Sequence, residues 1–104
     1  MKRLANISWR DGDAIKSHGL TPATWRTLAQ LAFGASMTTD GLFDANNVRV
    51  STRSIRALAE RGLLTAVSGT VGGGSFLANV PALTPLGWKT FEALHRLGIP
   101  HGMV

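Results

Sequence analysis

The residues best equipped for chemistry in this chain lie between Arg49 and Arg61, and the chemistry they suit is the binding of an anion. Ser51 through Arg61 (Ser-Thr-Arg-Ser-Ile-Arg-Ala-Leu-Ala-Glu-Arg) has the order of a short amphipathic helix that Gly62 ends. Ser51 is a capping residue, able to accept a hydrogen bond from a free backbone N–H of the first turn. Ile55, Leu58 and Ala59 fall at i, i+3 and i+4 and predict the apolar stripe. Arg53, Arg56 and Glu60 lie off it. A guanidinium can bind guanine in a bidentate fashion, and Ser or Thr hydroxyls hold phosphates or bases. On this reading Ser51, Thr52, Arg53, Ser54 and Arg56 face a DNA groove, while Arg49 and Arg61 sit on phosphates. The competing reading of the same segment is a surface helix with solvated arginines.

Other candidates for chemistry are sparse. There is no cysteine, so thiol catalysis, disulfides and cysteine–metal sites are excluded. The close carboxylate pairs, Asp11 with Asp13 and Asp40 with Asp44, stand beside glycines in turn-like sequence. There Asp commonly bonds its own backbone. His18, His95 and His101 have no metal-ligand spacing. Gly72-Gly73-Gly74 has no GxxxxGK[ST] context and precedes no helix, so a loop tip fits it better than a phosphate loop. Trp25 and Trp88 fit apolar helix faces, and Trp9 beside Arg10 is unassigned. No metal, no cofactor and no enzymatic activity are expected.

The elements that must position Arg53 and Arg56 follow from the flanks. Thr21-Pro22 opens a helix by cap plus proline, with Trp25, Leu28, Ala29, Leu31 and Ala32 as its apolar face and Gly34 as its stop. Leu63 to Val71 and Ser75 to Leu83 read as two strands joined at the glycines. Thr84-Pro85 opens a last helix whose apolar positions are Leu86, Trp88, Phe91, Leu94 and Leu97. The stretch from Ala35 to Val50 has two readings. Leu42-Phe43-Asp44 and Val48-Arg49-Val50 around Ala45-Asn46-Asn47 form a hairpin, since Asn tolerates positive φ. Alternatively, a short helix spans Thr39 to Ala45, against which Gly41 argues. A rival register begins the 51–61 helix at Asn47.

The segment Ser54-Ile55-Arg56-Ala57-Leu58-Ala59-Glu60-Arg61-Gly62-Leu63-Leu64, a hairpin, then Leu83-Thr84-Pro85-Leu86-Gly87 resembles bacterial winged-helix transcription regulators, including the multiple-antibiotic-resistance type, over roughly Thr21 to Leu97. The resemblance implies an α+β winged helix. Helix 51–61 is then the recognition helix, and hairpin 63–83 the wing that offers Ser68, Thr70, Gly73 and Ser75 at its tip. It also implies double-stranded DNA as partner. A hairpin at 38–50 departs from that pattern, because a helix-turn-helix has a helix there. The wing departs too, having no Lys or Arg with which to enter a minor groove.

Composition agrees with a small single domain over residues 1–104: residues 1–20 as an arm or extra element, 21–97 as the core and 98–104 as a tail. A 44% hydrophobic content supplies a core. Trp25, Leu28, Ile55, Leu58, Leu63, Leu86, Phe91 and Leu94 are expected to be buried together. Asp11-Gly12-Asp13 reads as a turn, Asp13 to His18 as one helical turn, and Leu4 to Trp9 as a short strand or arm. No apolar run is long enough for a membrane span, and the first residues lack an apolar signal core, so a cytoplasmic location is expected. Arg outnumbering Lys amid abundant Ala and Gly suggests a bacterial or bacteriophage source. The net charge of +5 favours a polyanionic partner. A lone short helix makes few phosphate contacts, so a homodimer is expected, its surface at the chain ends with the apolar tail 99–104; the competing reading is that this tail is disordered or merely closes the domain. The alternative function is a winged-helix module that binds a protein partner without touching DNA.

Overall fold

Four hydroxyl side chains set the helix starts among the described residues. The computed structural model describes residues 8–71 and 76–101, with 68–71 and 76–78 given by backbone alone. Ser8, Thr21, Ser51 and Thr84 are extended residues whose side-chain oxygens accept the N–H of Asp11, Thr24, Ser54 and Gly87. Each removes one of the unpaired donors that every helix start carries. They launch α1 (Trp9–Ser17), α2 (Pro22–Phe33), α3 (Thr52–Glu60) and α4 (Pro85–Arg96). Pro22 and Pro85 stand where the missing N–H costs nothing.

Helix α1 is longer than the turn-plus-turn expected from Asp11-Gly12-Asp13. Its glycine is tolerated because Ser8 caps the first turn and Ile15 is fully buried. Trp9 begins this helix and is 74% exposed. Of the expected strand or arm at Leu4 to Trp9, Ser8 is the extended cap of α1 and residues 4–7 lie outside the described residues.

Between α2 and α3 the chain is a hairpin. Strand β1 (Ala35–Thr38) pairs antiparallel with β2 (Gly41–Asp44), Ala35 opposite Asp44 and Thr38 opposite Gly41. The expected return leg is present on the other side of β2. The Asp44 N–H donates to the Val48 carbonyl at 2.9 Å, and the Val50 N–H to the Leu42 carbonyl at 2.8 Å. Phe43 and Arg49 form a single bridge. Gly41 at φ 132° and Asn47 at φ 60° make the two reversals. Neither a helix at Thr39 to Ala45 nor one beginning at Asn47 forms. Strands β3 (Leu64–Val71) and β4 (Phe76–Leu83) make the second hairpin, in register from Leu64 opposite Leu83 to Val71 opposite Phe76. The fold is thus mixed α+β, with two small antiparallel hairpins set among the helices.

The core joins Ile15 and Leu20, Trp25, Leu28 and Ala29 of α2, Leu58 of α3, Leu63 and Leu64, Phe91 and Leu94 of α4, and Ile99. Ile55 packs against it half-buried. Leu86, expected in the core, is 52% exposed, and Trp88 is 44% exposed. The inward positions of α4 are Gly87, Thr90, Phe91 and Leu94, at i, i+3, i+4 and i+7. The first turn of α4 lies so close to β3 that a Cβ on Gly87 would overlap the Leu63 carbonyl oxygen. Only a glycine can face inward there, so Leu86 is turned out.

The start of the tail follows the domain-closing alternative. Gly98 reverses the chain at φ 71°, and Ile99 returns to the core at 5% exposure. The Trp25 indole Nε1–H donates to the Pro100 carbonyl at 3.0 Å. The His101 ring lies 5.2 Å from Phe33 and 6.0 Å from Trp25, centroid to centroid. Residues 99–101 therefore close this domain, and 102–104 lie outside the described residues.

Candidate nucleic-acid interface

At about 100° per residue, Thr52, Arg53, Arg56 and Glu60 share one face of α3, and all four are exposed. The opposite face is centred on Leu58, fully buried, and Ser54, 7% exposed. Ala59, expected on the apolar stripe, is exposed. The helix is thus rotated toward Ser54, because that side packs on α2. Ser54 faces the interior and is not on the outward surface with Arg53 and Arg56. Ser51 is exposed, but its oxygen is occupied by the Ser54 N–H at 3.2 Å.

The two flanking arginines part company. The Arg49 Nη2–H donates to the Asp40 carbonyl at 2.6 Å, and its guanidinium lies 5.2 Å from the Phe43 ring. It braces the turn of the β1–β2 hairpin while remaining exposed. Arg61 reaches the other way, its Nη1 lying over Gly19 at the α1–α2 corner. The outward cationic pair is therefore Arg53 and Arg56. In the β3–β4 hairpin, Ser68 and Thr70 are strand residues facing Asn79 and Leu77 in register. Gly73 and Ser75 lie outside the described residues.

The loop feeding α3 is held by Asp44. Its carboxylate accepts from Gln30 Nε2–H at 2.8 Å and from the backbone N–H of Asn46 and Val48, each at 2.9 Å. Burial alone would raise this carboxyl's pKa. The three donated hydrogen bonds and the nearby Arg26 charge outweigh it and hold the pKa below the usual 3.8. Asp44 thus works as a structural anchor between α2 and the approach to α3.

Beside that anchor, α2 and α3 enclose a cleft of about 220 Å3 lined by Ala23, Arg26, Thr27, Gln30, Val48, Arg49, Ser51 and Ser54. Sequence reading passed over Arg26, Thr27 and Gln30. The signal was present: Ala23, Arg26, Thr27 and Gln30 fall at i, i+3, i+4 and i+7, a polar stripe beside the apolar one on α2. A second groove of about 140 Å3 runs between α3 and the β3–β4 hairpin, lined by Ile55, Ala59, Leu64, Thr65, Ala66, Asn79 and Pro81. Among the described residues, no group of three or more His, Asp or Glu is placed to hold a metal ion, and no helix is long and apolar enough to cross a membrane. No protein-family model, curated protein or solved structure matches the chain at a significant level.

Proposed function

We propose that this protein is a winged-helix DNA-binding transcription regulator in which α3 enters the major groove and the β3–β4 hairpin is the wing. The observation that carries the reading is the outward face of α3. Thr52, Arg53 and Arg56 are exposed on a helix whose other side is buried, and a B-DNA major groove admits one helix with such side chains at its base edges. The order α3, β3, β4, α4 supports the wing. Where a helix-turn-helix has its first helix, this chain has the β1–β2 hairpin, and Asp44 takes over the bracing of α3. The wing carries no Lys or Arg, so its contribution is confined to backbone N–H groups and hydroxyls such as those of Ser68 and Thr70. With so few cations per copy, two copies on a pseudo-palindromic site are needed for tight binding. Selection of binding sites from a random duplex library by the full chain tests the reading. Enrichment of one motif, lost in Arg53→Ala and Arg56→Ala, is expected; no enrichment by a folded protein defeats it.

One observation favours a second reading, a protein-interaction module. The groove between α3 and the hairpin has no charged residue in its lining, and Val67 beside it is 45% exposed. A protein partner there would leave DNA selection empty.

A further inference from the structure

We propose that the cleft between α2 and α3 is a binding site for a phosphate-class oxyanion. Its lining includes two basic residues, Arg26 and Arg49, the latter's guanidinium also bonding the Asp40 carbonyl, three hydroxyl residues, Thr27, Ser51 and Ser54, and no acid. The nearby Asp44 carboxylate is committed to Gln30, Asn46 and Val48 and does not line the cleft.

One group beside it lacks the partner that buried polar atoms normally have. Arg26 Nε is buried with no hydrogen-bond partner among the described residues. Thr27, 2% exposed, and Ser54, 7% exposed, bring their hydroxyls to the same lining. An orphaned buried donor is costly, and native structures rarely keep one without a water, an ion or a function. The Arg26 Nε–H and the two hydroxyls can all donate. Donors from two helices around a cleft with no acid in its lining suit an oxyanion.

The N-terminus of α3 adds to this. Ser51 caps the Ser54 N–H, and the Ile55 N–H bonds the Ser51 carbonyl, so the N–H groups of Thr52 and Arg53 are the ones left without an intrahelical acceptor. They carry the positive end of the helix dipole to the Ser51 rim of the cleft. At roughly 30 Å3 per water, the cleft holds roughly seven waters, room for a phosphate with part of its hydration. The phosphate is either a backbone phosphate of a nucleic acid or part of a free phosphorylated molecule.

The test is a titration of the isotope-labelled full chain with inorganic phosphate at constant ionic strength, followed by amide and arginine Nε–H resonances. Saturable shifts are expected at Thr52, Arg53 and the Arg26 Nε–H. Arg26→Gln should weaken binding by about 10- to 100-fold. Thr27→Val, which keeps the charge and nearly the shape, should weaken it less. Shifts that do not saturate, that chloride reproduces, or that both folded variants leave unchanged would overturn the site. A duplex without terminal phosphates separates the sources. Competition between duplex and inorganic phosphate assigns the site to the DNA backbone. Saturable phosphate binding without competition assigns it to a free phosphorylated molecule. The Arg53→Ala/Arg56→Ala double variant should keep phosphate binding. If the parent binds phosphate but no duplex, the DNA reading fails and the cleft stands.

Discussion

Arg53 and Arg56 differ from Arg49 and Arg61 in having no side-chain partner among the described residues. Arg49 is tied to the Asp40 carbonyl and the Phe43 ring, and Arg61 lies over Gly19. Replacing Arg53 or Arg56 with Ala should cost about 1–3 kcal/mol of duplex affinity each where the side chain reads a base, and should relax preference at that position. A phosphate role would instead weaken all sequences alike and lower the salt slope by about 1. Affinities for a matched set of duplexes distinguish the two. Asp44 carries the opposite kind of role. Asp44→Ala would strand the Gln30 amide and two backbone N–H groups, at a cost of at least about 1–3 kcal/mol, visible as an earlier thermal melt by circular dichroism. The sequence marked Asp44 as a turn residue, and it is one. That Gln30 reaches it from α2 was not legible, because nothing local connects two residues fourteen apart.

At the scale of elements, what was written locally was legible and what depended on contact was not. Ser51, Thr21-Pro22, Thr84-Pro85, Gly34 and Gly62 mark helix ends through their own backbone preferences, and the helices begin and stop there. The rotation of α4 is different. Gly87 faces inward because the Leu63 carbonyl occupies the space of a side chain, and that carbonyl comes from the far end of the hairpin. Two effects compete in Gly87→Ala: helix propensity gains about 0.8–1 kcal/mol, while the overlap is with backbone and costs about 1–3 kcal/mol or more. The account predicts net destabilisation in a denaturant melt. A stabilised variant would mean that α4 stands further from β3. Likewise Ser54, read as a groove-facing residue from its chemistry, is buried because α2 packs on that side of α3. Leu58→Ala, at the centre of the same contact, should lose about 2–5 kcal/mol.

For the whole molecule, closure by the C-terminal segment was one of the readings that the sequence left open. Ile99, Pro100 and His101 look like a loose apolar end until Trp25 is seen to donate to Pro100 and the rings of Phe33, Phe91, His95 and His101 are seen together. This cluster makes stability depend on pH. Burial, then the neighbouring His95, lowers the His101 pKa below 6.5. The unfolded chain therefore binds more protons between the folded value and 6.5, and stability falls as pH drops through that window. Asp44 adds a second loss at lower pH, as protonation proceeds from its unfolded value of 3.8 down through its lowered folded value. Urea melts from about pH 8 to pH 5 should show the first loss in the parent and a smaller one in His101→Phe. An unchanged profile in that variant would show that His101 does not set it.

The central claim, that α3 binds duplex DNA through Arg53 and Arg56, is tested most directly by the affinity of the full chain for duplex DNA across a salt series. The account predicts that log K falls linearly with log salt, with a slope of about −0.9 per phosphate neutralised. It also predicts that the folded Arg53→Ala/Arg56→Ala double variant loses most of the affinity. A double variant with the parent's affinity and slope, or a parent that does not bind duplex at low salt, would contradict it.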